Sequence, residues 1–412
     1  MTGDLPLITG DVEDGYGKVA DAFRRNFTHR GEVGAACAVY RDGRKVVDLW
    51  GGYRNGKMRS PWQEDTLVYW ASATKGMAAM AMLVAQSRGL LDFDEPVARY
   101  WPEFAQNGKE RITLRHLLSH QAGLAALDRR IDLATAADPD ARAAILAAQR
   151  PLWEPGTRQG YHAWTFGWCE SEVLRRVDPQ GRTLGQFFAD EVAEPLGVEF
   201  YIGLPDAIPA DRVARVHFNL VDLFRFLPKM PRGFLIGMLN PRSLTSRATR
   251  VLPGTPVGGI EDERIRAYVR IGFYSGYGIG QVRGVARAYG ALATGGEELG
   301  IRPETLREVE EPPTPPTGGF YDLVTHTTAM AFSLGYVKPM PTQWFGSPAG
   351  RAFGHHGGGG SGGFADPDVG IGFAYAPNRL TLFDLHMRGD PRKDALMDAL
   401  YDVLGVPARQ TG

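Results

Sequence analysis

A serine and a lysine three residues apart stand where an apolar helix is predicted to begin. Ser72 and Lys75 lie within residues 70–76, and the residues that follow, up to Ser87, are strongly apolar. Side chains three positions apart share one face of a helix, so the amine can reach the hydroxyl. The partial positive charge of the helix N-terminus favours the alkoxide that forms when the serine attacks. This arrangement predicts a nucleophilic serine with the lysine as its first proton acceptor.

The setting of Lys75 is more informative than its distance from Ser72 along the chain. A serine three positions before a lysine is a frequent chance match in a chain of 412 residues. Burying a lysine in an apolar helix is costly, and it lowers the pKa of the amine so that a neutral base becomes available. The alternative is a structural lysine that stays solvated near the helix start. The apolar helix favours the catalytic interpretation.

Two further segments carry groups suited to catalysis. Tyr161 follows a turn at Pro155-Gly156 and precedes a predicted helix, a setting that can hold a phenol at the edge of a cleft. A packing role is the alternative for this tyrosine, and His162 beside it is interpreted as a satisfied polar or capping residue. His355 and His356 precede a glycine cluster at residues 357–363, where a strand edge can approach a ligand and donate backbone N–H groups. A flexible turn is the alternative there.

Three competing motifs point to other chemistry. Ser361 lies in a G-x-S-x-G match at residues 359–363, but that motif needs a strand, a sharp turn and then a helix, and residues 364–368 predict another turn. A G-x-G-x-x-G match in the same cluster also lacks a following helix. His116 and His120 are four apart and could share a metal, yet no glutamate follows His116 as the zinc-protease motif requires. We therefore predict structural histidines, no metal and no cofactor.

The elements that must position these residues come from both ends of the chain. A hairpin turn at Asp42-Gly43 joins two short apolar strands, and beta character returns near the C-terminus. The strands are too short to form two sheets, which predicts an α+β fold with one antiparallel sheet flanked by the N- and C-terminal helices. The predicted strands are residues 34–40, 45–51, 331–337, 362–365, 370–375 and 380–386, and the two flanking helices are residues 12–30 and 390–404.

The middle of the chain predicts a mainly helical region inserted into this sheet. The proposed division is a sheet domain of residues 1–90 plus 288–412 and a mainly helical domain of residues 91–287. The helices predicted there are residues 111–118, 140–148, 166–177 and 184–192. Residues 216–259 are rich in Phe and Leu and broken by prolines. This segment is interpreted either as packing for the helical region or as a hydrophobic rim over a substrate cleft.

Composition excludes several classes of protein. Hydrophobic residues make up 43% and charged residues 23%, as in a soluble globular protein, and the net charge of −1 gives no reason to expect nucleic acid or an anionic membrane as partner. No secretory leader or membrane-spanning run is visible, so a cytoplasmic enzyme without membrane insertion is expected. Cys37 and Cys169 are predicted to be two buried thiols rather than a disulfide. Nothing in the sequence fixes the oligomeric state.

Taken in order, the motifs resemble those of a known superfamily. The chain is similar to the serine β-lactamase and penicillin-binding-protein-like superfamily, and in particular to the class C β-lactamase-like carboxylesterases called family VIII esterases. The resemblance covers nearly the whole chain, and the order of its motifs is specific although each motif alone is not. The segments that carry it are residues 72–75, 112–124, 153–156, 161–163, 194–197 and 353–361.

The resemblance implies a role for each candidate residue. Ser72 would be the acylated nucleophile, Lys75 the neighbouring base, and Tyr161 a phenol that relays protons to and from the serine. His355 falls where β-lactamases usually have the lysine of Lys-Thr-Gly. Gly358 would supply one backbone donor of the oxyanion hole, and the N–H of Ser72 the other.

Two departures from the family pattern bear on the substrate. Ala163 stands where class C β-lactamases have an asparagine that binds the substrate's amide, and His355 replaces a fixed positive charge. Both changes favour a neutral small-molecule ester over a β-lactam, which predicts a serine carboxylesterase for small or medium acyl esters. An acyltransferase, or a β-lactamase or D-amino-acid peptidase using the same site, stays open as an alternative. A binding protein that has lost catalysis is disfavoured because Ser72, Lys75 and Tyr161 are all present.

Overall fold

The main sheet draws strands from both ends of the chain, as predicted. The computed structural model describes residues 7–219, 227–252, 258–381 and 389–406. Eight antiparallel strands form one path, and the short strand Ser60–Pro61 pairs with Arg44–Asn55 beside it. In spatial order the eight are Ile8–Val12, Arg44–Asn55, Gly34–Arg41, Ile371–Pro377, Gly362–Asp366, Phe353–His356, Tyr336–Lys338 and Ala331–Ser333.

Both faces of this sheet are covered, so its central strands are apolar on both sides. Along Gly34–Arg41, Cys37 and Val39 pack in the cluster that includes the helices Gly17–His29 and Pro391–Val403. Ala38, between them, packs in the cluster that includes the helix Val282–Ala293. The alternation follows from the two-residue period of a strand. The first and last helices pack on the sheet, as predicted, but both lie on the same face, and the helix Val282–Ala293 covers the other.

Several predicted boundaries differ from the structure. The helix predicted at residues 12–30 begins only at Gly17, because Ile8–Val12 pairs with Arg44–Asn55 as an edge strand. The strand predicted at residues 331–337 is two strands, since Leu334 and Gly335 turn the chain through positive φ values of 48° and 88°. At the strand predicted for residues 380–386, the structure has Arg379–Leu380, and residues 382–388 lie outside the described part of the chain.

The inserted region is mainly helical, with two small sheets beside it. Val68–Tyr69, Ile279–Gly280 and Phe200–Tyr201 form one, and Arg379–Leu380 pairs with His217–Phe218 in the other. The helices between residues 70 and 311 are Thr74–Ser87, Val97–Tyr100, Leu114–Leu118, Leu133–Ala137, Pro139–Ala148, Thr165–Val177, Leu184–Phe188, Glu194–Leu196, Arg232–Leu239, Leu244–Thr249, Glu263–Ile271, Val282–Ala293 and Pro303–Glu310. Single turns of 3-10 helix occur at Ala71–Ala73, Pro102–Phe104, Ala210–Arg212, Leu227–Lys229 and Glu297–Leu299, and a π-helical turn at Ala189–Ala193.

The predicted division into domains stays a prediction. The helix Val282–Ala293 crosses the predicted boundary at residue 288 and packs against the sheet along its length. Residues 216–259 are described in part, with helices at Arg232–Leu239 and Leu244–Thr249, while residues 220–226 and 253–257 lie outside the described ranges. Cys37 and Cys169 are buried free thiols, as predicted. Across the described residues, no helix has the length and apolar character needed to cross a membrane.

Candidate active site

Ser72 sits at a strained junction between a strand and a buried helix. The single 3-10 turn Ala71–Ala73 runs directly into the helix Thr74–Ser87, which is apolar on every side and lies in the core. Ala71 has a positive φ of 45°, a conformation that costs a non-glycine residue about 1–3 kcal/mol. The Thr74 hydroxyl holds the turn by donating to the Ala71 carbonyl at 2.6 Å. Strain kept in place by such contacts is typical of functional sites, and it leaves the Ser72 side chain facing a pocket.

The amine of Lys75 is fully buried and has three polar neighbours. It donates to the backbone carbonyls of Ser275 at 2.7 Å and Ala163 at 3.1 Å, and it lies 3.5 Å from the hydroxyl oxygen of Ser72. Burial lowers the pKa of Lys75 to about 7, and the charge of Glu170 acts in the opposite direction. A substantial fraction of the amine is therefore neutral near pH 7.

Burial alone does not distinguish Lys75 from the other lysines of the core. Lys109 donates to three carbonyl oxygens at 2.7–2.8 Å, and Lys338 to three at 2.7–3.2 Å. Burial also lowers the pKa of Lys338 to about 7. The amines of those two lysines donate only to backbone carbonyl oxygens. One neighbour of the Lys75 amine is instead the hydroxyl of a serine that lines a pocket. The contact with Ser72, and not the lowered pKa, marks the candidate base.

Tyr161 approaches both Ser72 and Lys75 from the other side of the site. Its ring lies 4.8 Å from the Lys75 amine and stacks on Phe332 with ring centroids 5.6 Å apart. Burial raises the pKa of its phenol, and a hydrogen bond with the Ser72 side chain acts in the opposite direction. At neutral pH the phenol is therefore protonated. The structure brings Ser72, Lys75 and Tyr161 into one cluster.

Three buried imidazoles around this cluster are uncharged. Burial lowers the pKa of His162 and of His355 to about 3, and that of His120 well below its usual value. Nδ1 of His162 donates to the Gly160 carbonyl at 2.7 Å and its Nε2 accepts from the Leu124 N–H at 3.0 Å. His162 is thus a satisfied polar residue, as interpreted from the sequence. The neighbouring positive charge of Lys75 also disfavours protonation of His355.

His355 lies behind the site instead of in the pocket wall. Its Nδ1 donates to the His356 carbonyl at 2.8 Å, and its ring centroid is 6.4 Å from that of Tyr161. It is about 1% exposed and does not line the pocket that Ser72 faces. The structure therefore gives His355 no direct access to a ligand in that pocket, and it offers no positive charge to a carboxylate.

Gly358 stands opposite Ser72 in the same pocket. Neither the N–H of Gly358 nor that of Ser72 donates to any other residue in the described ranges. Gly357 holds the strand end close to the Ser72 turn, because a Cβ there would overlap the Trp70 carbonyl and the Ser361 hydroxyl. Both residues line the same pocket, and an oxyanion hole needs two unused backbone donors.

The pocket itself has a volume of about 280 Å³ and a mainly apolar wall. Aromatic rings from three separate parts of the chain meet in it, and the Trp164 indole packs on Tyr277 with ring centroids 6.2 Å apart. Its lining residues are Tyr69, Ala71, Ser72, Ala163, Trp164, Thr249, Ser275, Gly276, Tyr277, Gly358, Gly359 and Leu380. Thr249 comes from the Phe- and Leu-rich segment at residues 216–259, so part of that segment does border the pocket.

Two residues that position the site carried no signal in the sequence. Ser275 holds Lys75 through its carbonyl, and its hydroxyl donates to the Trp164 carbonyl and accepts from the Gly167 N–H at 2.7 Å. Asp322 is buried, and its carboxylate accepts backbone N–H groups that include that of Tyr161. Any residue can offer a backbone carbonyl, and an isolated aspartate in a loop has no spacing that reveals its partner.

The competing motifs have structural explanations. Ser361 is buried, its hydroxyl donates to the Trp70 carbonyl at 3.0 Å, and the strand Gly362–Asp366 follows it instead of a helix. His116 caps the helix Leu114–Leu118 by pairing with Thr113. Nδ1 of His120 accepts from the His162 N–H at 3.1 Å. No group of three or more metal-ligating side chains occurs within the described residues.

The fold, a mainly antiparallel sheet with an inserted helical region, is that of the β-lactamase-like proteins. A family model described as Beta-lactamase matches residues 21–396, and the chain belongs to this family. The resemblance drawn from the motifs is thereby confirmed, and the chain is a β-lactamase-like serine hydrolase.

Individual relatives include esterases. The chain is 33% identical over 384 residues to Esterase/beta-lactamase LipL of Mycobacterium tuberculosis, which covers 90% of this chain and 83% of that protein. Among solved structures it is similar to a family VIII carboxylesterase, with 36% identity and a TM-score of 0.81 over 96% of this chain and 100% of the other. It is also similar to a penicillin-binding protein homologue from Caulobacter crescentus, with 35% identity and a TM-score of 0.82 over 96% and 100% of the two chains.

Proposed function

We propose that this protein is a serine carboxylesterase that cleaves esters of small or medium acyl groups through an acyl-Ser72 intermediate. The observation that carries the proposal is the set of contacts around the Lys75 amine. A neutral amine has two N–H bonds and one lone pair, and the carbonyls of Ala163 and Ser275 accept both N–H bonds. The lone pair then faces the Ser72 hydroxyl, which is the orientation a general base needs.

Acylation begins when Ser72 attacks the ester carbonyl. Its proton passes to the neutral Lys75, and the Tyr161 phenol completes the relay that delivers a proton to the departing alcohol. The 3.5 Å separation between the Lys75 and Ser72 atoms is at the long limit of a hydrogen bond, and such contacts tighten once a substrate is bound. The unused N–H groups of Ser72 and Gly358 stabilise the negative charge on the carbonyl oxygen. Water then enters, and the same relay in reverse releases the acid.

An ester is favoured over a β-lactam because none of the described residues that line the pocket carries a fixed positive charge for a carboxylate. His355 is buried and uncharged, and Ala163 has no side-chain amide to hold the substrate's amide. The aromatic and aliphatic wall formed by Tyr69, Trp164 and Leu380 suits an apolar acyl group. A volume of about 280 Å³ matches a short or medium chain.

Covalent labelling with a fluorophosphonate probe tests the nucleophile. We expect Ser72→Ala to abolish labelling and to reduce turnover of a short p-nitrophenyl ester to background. Ser361→Ala is the matched control, since that serine lies in the competing G-x-S-x-G match and its hydroxyl is committed to the Trp70 carbonyl. The control should still be labelled. Labelling that survives in Ser72→Ala and disappears in Ser361→Ala would reverse the assignment.

The substrate class needs a second measurement. Turnover of the same ester should exceed that of a chromogenic cephalosporin by orders of magnitude, and both activities should depend on Ser72. Faster cephalosporin hydrolysis would contradict the ester assignment while leaving the nucleophile intact. Product analysis with added short alcohols distinguishes hydrolysis from transfer: free acid as the main product supports the esterase, and a new ester as the main product would identify an acyltransferase.

A further inference from the structure

Exposed apolar side chains and a group of arginines occur together on one surface next to the pocket that Ser72 faces. The helix Arg232–Leu239 exposes Ile236 (68%) and Leu239 (84%), and Leu239 is the most exposed large apolar residue in the described part of the chain. Singly scattered apolar residues on a surface are ordinary. Two exposed apolar residues on successive turns of one short helix, beside a concentration of positive charge, are unusual.

The positive charge lines a cleft of about 420 Å³ directly after this helix. Five arginines and one aspartate, Asp128, contribute to its wall, which leaves a formal charge of +4. The arginines are Arg129, Arg130, Arg242, Arg247 and Arg250. The net charge of the whole chain is −1, so this concentration is local and composition cannot reveal it.

Three of the five arginines have no partner among the residues that the structure describes. Arg247 pairs with Asp128 at 3.1 Å, and Arg250 donates to the Met238 carbonyl at 3.1 Å. Arg129, Arg130 and Arg242 have no ion pair and no side-chain hydrogen bond to any residue that the structure describes. Guanidinium groups without carboxylate partners are available to phosphate oxygens, which they bind with two parallel N–H donors.

The cleft and the apolar helix form one continuous surface. Arg250 bridges them through the Met238 carbonyl, and the Ser243 hydroxyl donates to the Gly237 carbonyl at 2.5 Å. Leu239 is two residues before Pro241 in the cleft wall, so their Cα atoms are at most about 7.6 Å apart. We name the surface formed by the helix Arg232–Leu239 and the arginine cleft the basic-apolar surface.

We propose that the basic-apolar surface docks the protein onto a lipid surface that carries anionic phosphate headgroups. Ile236 and Leu239 enter the boundary between headgroups and acyl chains, and the arginines bind the phosphates around them. Charge complementarity selects this occupant, because a neutral apolar partner leaves the arginines unpaired. The docking is peripheral and needs no spanning segment. It is independent of the assignment of Ser72.

Docking at this surface brings the lipid close to the candidate active site. The helix Leu244–Thr249 forms part of the cleft wall through Ser246 and Arg247, and its last residue, Thr249, lines the catalytic pocket. The Thr249 carbonyl accepts the indole N–H of Trp164 at 3.2 Å, which fixes this helix against the pocket. One short helix therefore separates the two regions, so a bound lipid surface lies beside the pocket.

Flotation of the full chain with vesicles tests the docking. We expect binding to vesicles of phosphatidylcholine mixed with phosphatidylglycerol, little binding to phosphatidylcholine alone, and weaker binding as salt is raised. Each arginine near an anionic surface changes the partition constant roughly fivefold, so Arg129→Gln with Arg242→Gln should lower it about 25-fold. Ile236→Ser with Leu239→Ser should also lower it about tenfold or more, because two apolar side chains no longer enter the interface.

A matched double variant controls for charge and apolarity elsewhere. Arg25→Gln with Met58→Ser removes an exposed arginine without an ion pair in the described residues and an apolar side chain that is 75% exposed. Its vesicle binding should equal that of the parent. All variants should retain turnover of a soluble short ester, which shows that they are folded.

Three outcomes would overturn the proposal. The first is equal binding of the parent and the two surface variants to anionic vesicles. The second is saturable binding of inorganic phosphate, lost in Arg129→Gln with Arg242→Gln, without any vesicle binding, because the cleft would then be a site for a soluble anion. The third is a dimer in light scattering that Ile236→Ser with Leu239→Ser converts to a monomer without any effect on vesicles.

Discussion

The protonation state of Lys75 decides which way a proton can move at Ser72. In the protonated form the third N–H points towards the serine oxygen, so the amine can only donate. In the neutral form the two carbonyl contacts are kept and the lone pair replaces that third N–H. The two forms keep the same two carbonyl contacts, so in the proposed mechanism the pKa of the amine decides whether Lys75 can accept the Ser72 proton.

We therefore expect kcat/KM for a neutral ester to rise with pH and to level off above about pH 8. The free enzyme must hold neutral Lys75, whose pKa burial lowers to about 7. Below that pKa the rate should fall about tenfold per pH unit. Tyr161 stays protonated across this range because burial raises its pKa, so no second inflection is expected. The measurement is a pH–rate profile with a short ester.

Lys338 provides the control for this profile. Burial lowers the pKa of Lys338 to about 7 as well, but its amine contacts the carbonyls of Val309, Glu310 and Arg351 and no residue of the candidate site. Lys338→Met should keep the inflection where it is, even if the variant is less stable. An inflection that moves or vanishes in this variant, or a flat profile in the parent, would rule out Lys75 as the titrating base.

For individual residues of the candidate site, the sequence predicts which side chains take part better than it predicts which backbone groups contact them. Ser72, Lys75 and Tyr161 could be named as candidates from residue type, motif order and the apolar helix, and the structure brings them together. The carbonyls of Ala163 and Ser275 could not, since every residue carries one and only the folded chain decides which are close. The sequence predicted that His355 weakens the positive charge that β-lactamases have at this position. The structure adds that His355 is buried and uncharged.

Among the elements, the helix Thr74–Ser87 is packed so closely against its neighbours that a side chain at Gly76 must displace one of them. A Cβ on Gly76 would overlap the hydroxyl oxygen of Tyr289 and would lie 3.0 Å from the Cβ of His355. Gly76 follows Lys75 directly. The close approach of Tyr289 and His355 at this point therefore restrains the first turn of the helix that carries Lys75.

Gly76→Ala should lower both stability and turnover, although alanine is the better helix former by about 1 kcal/mol. The overlap must be relieved by moving Tyr289 or the helix, at a cost of about 1–3 kcal/mol. Denaturant unfolding and ester turnover measure the two effects. Tyr289→Phe removes the overlapping oxygen, so the double variant should recover a large part of both losses. Gly17→Ala is the control, because a Cβ there meets nothing within 4 Å.

The opposite result is also informative. If Gly76→Ala is as stable and active as Gly17→Ala, the close approach at Gly76 does not position the lysine. If the double variant is no better than Gly76→Ala, the contact with the His355 Cβ outweighs the contact with Tyr289.

Elements with a clear local pattern were predicted well, whereas one edge strand and one reversal within a buried run were missed. Thr74–Ser87 matches its prediction because the apolar run and its glycine stop are local. The residues of Ile8–Val12 carry little strand pattern of their own. They form a strand because they pair with the edge of Arg44–Asn55, and the sequence does not reveal that pairing. Leu334 and Gly335 turn a run that is mostly apolar and buried along its length, and apolarity alone does not mark where a buried strand reverses.

Across the whole molecule, a buried charge cluster joins the two ends of the chain beneath the glycine-rich loop. Arg392 is almost fully buried and pairs with Glu32 at 3.0 Å and with Asp390 at 2.6 Å. It also donates to the Gly359 carbonyl at 3.2 Å. Burial acts to raise the pKa of Asp390, but the Arg392 charge and its hydrogen bonds more than offset this and lower the pKa to about 2.

Arg392→Met should therefore destabilise the protein by about 3–5 kcal/mol, since it leaves two buried carboxyls without their counter-charge. Without Arg392, both carboxyls have higher pKa values folded than unfolded, so this loss should shrink as the pH falls from 7 towards 5. Turnover should also fall, because Gly359 adjoins the candidate oxyanion donor Gly358. Arg24→Met is the control: its pair with Asp21 is exposed and contributes at most about 1 kcal/mol. Urea unfolding at several pH values measures both variants, and equal losses would mean that the cluster does not hold the two ends of the chain together.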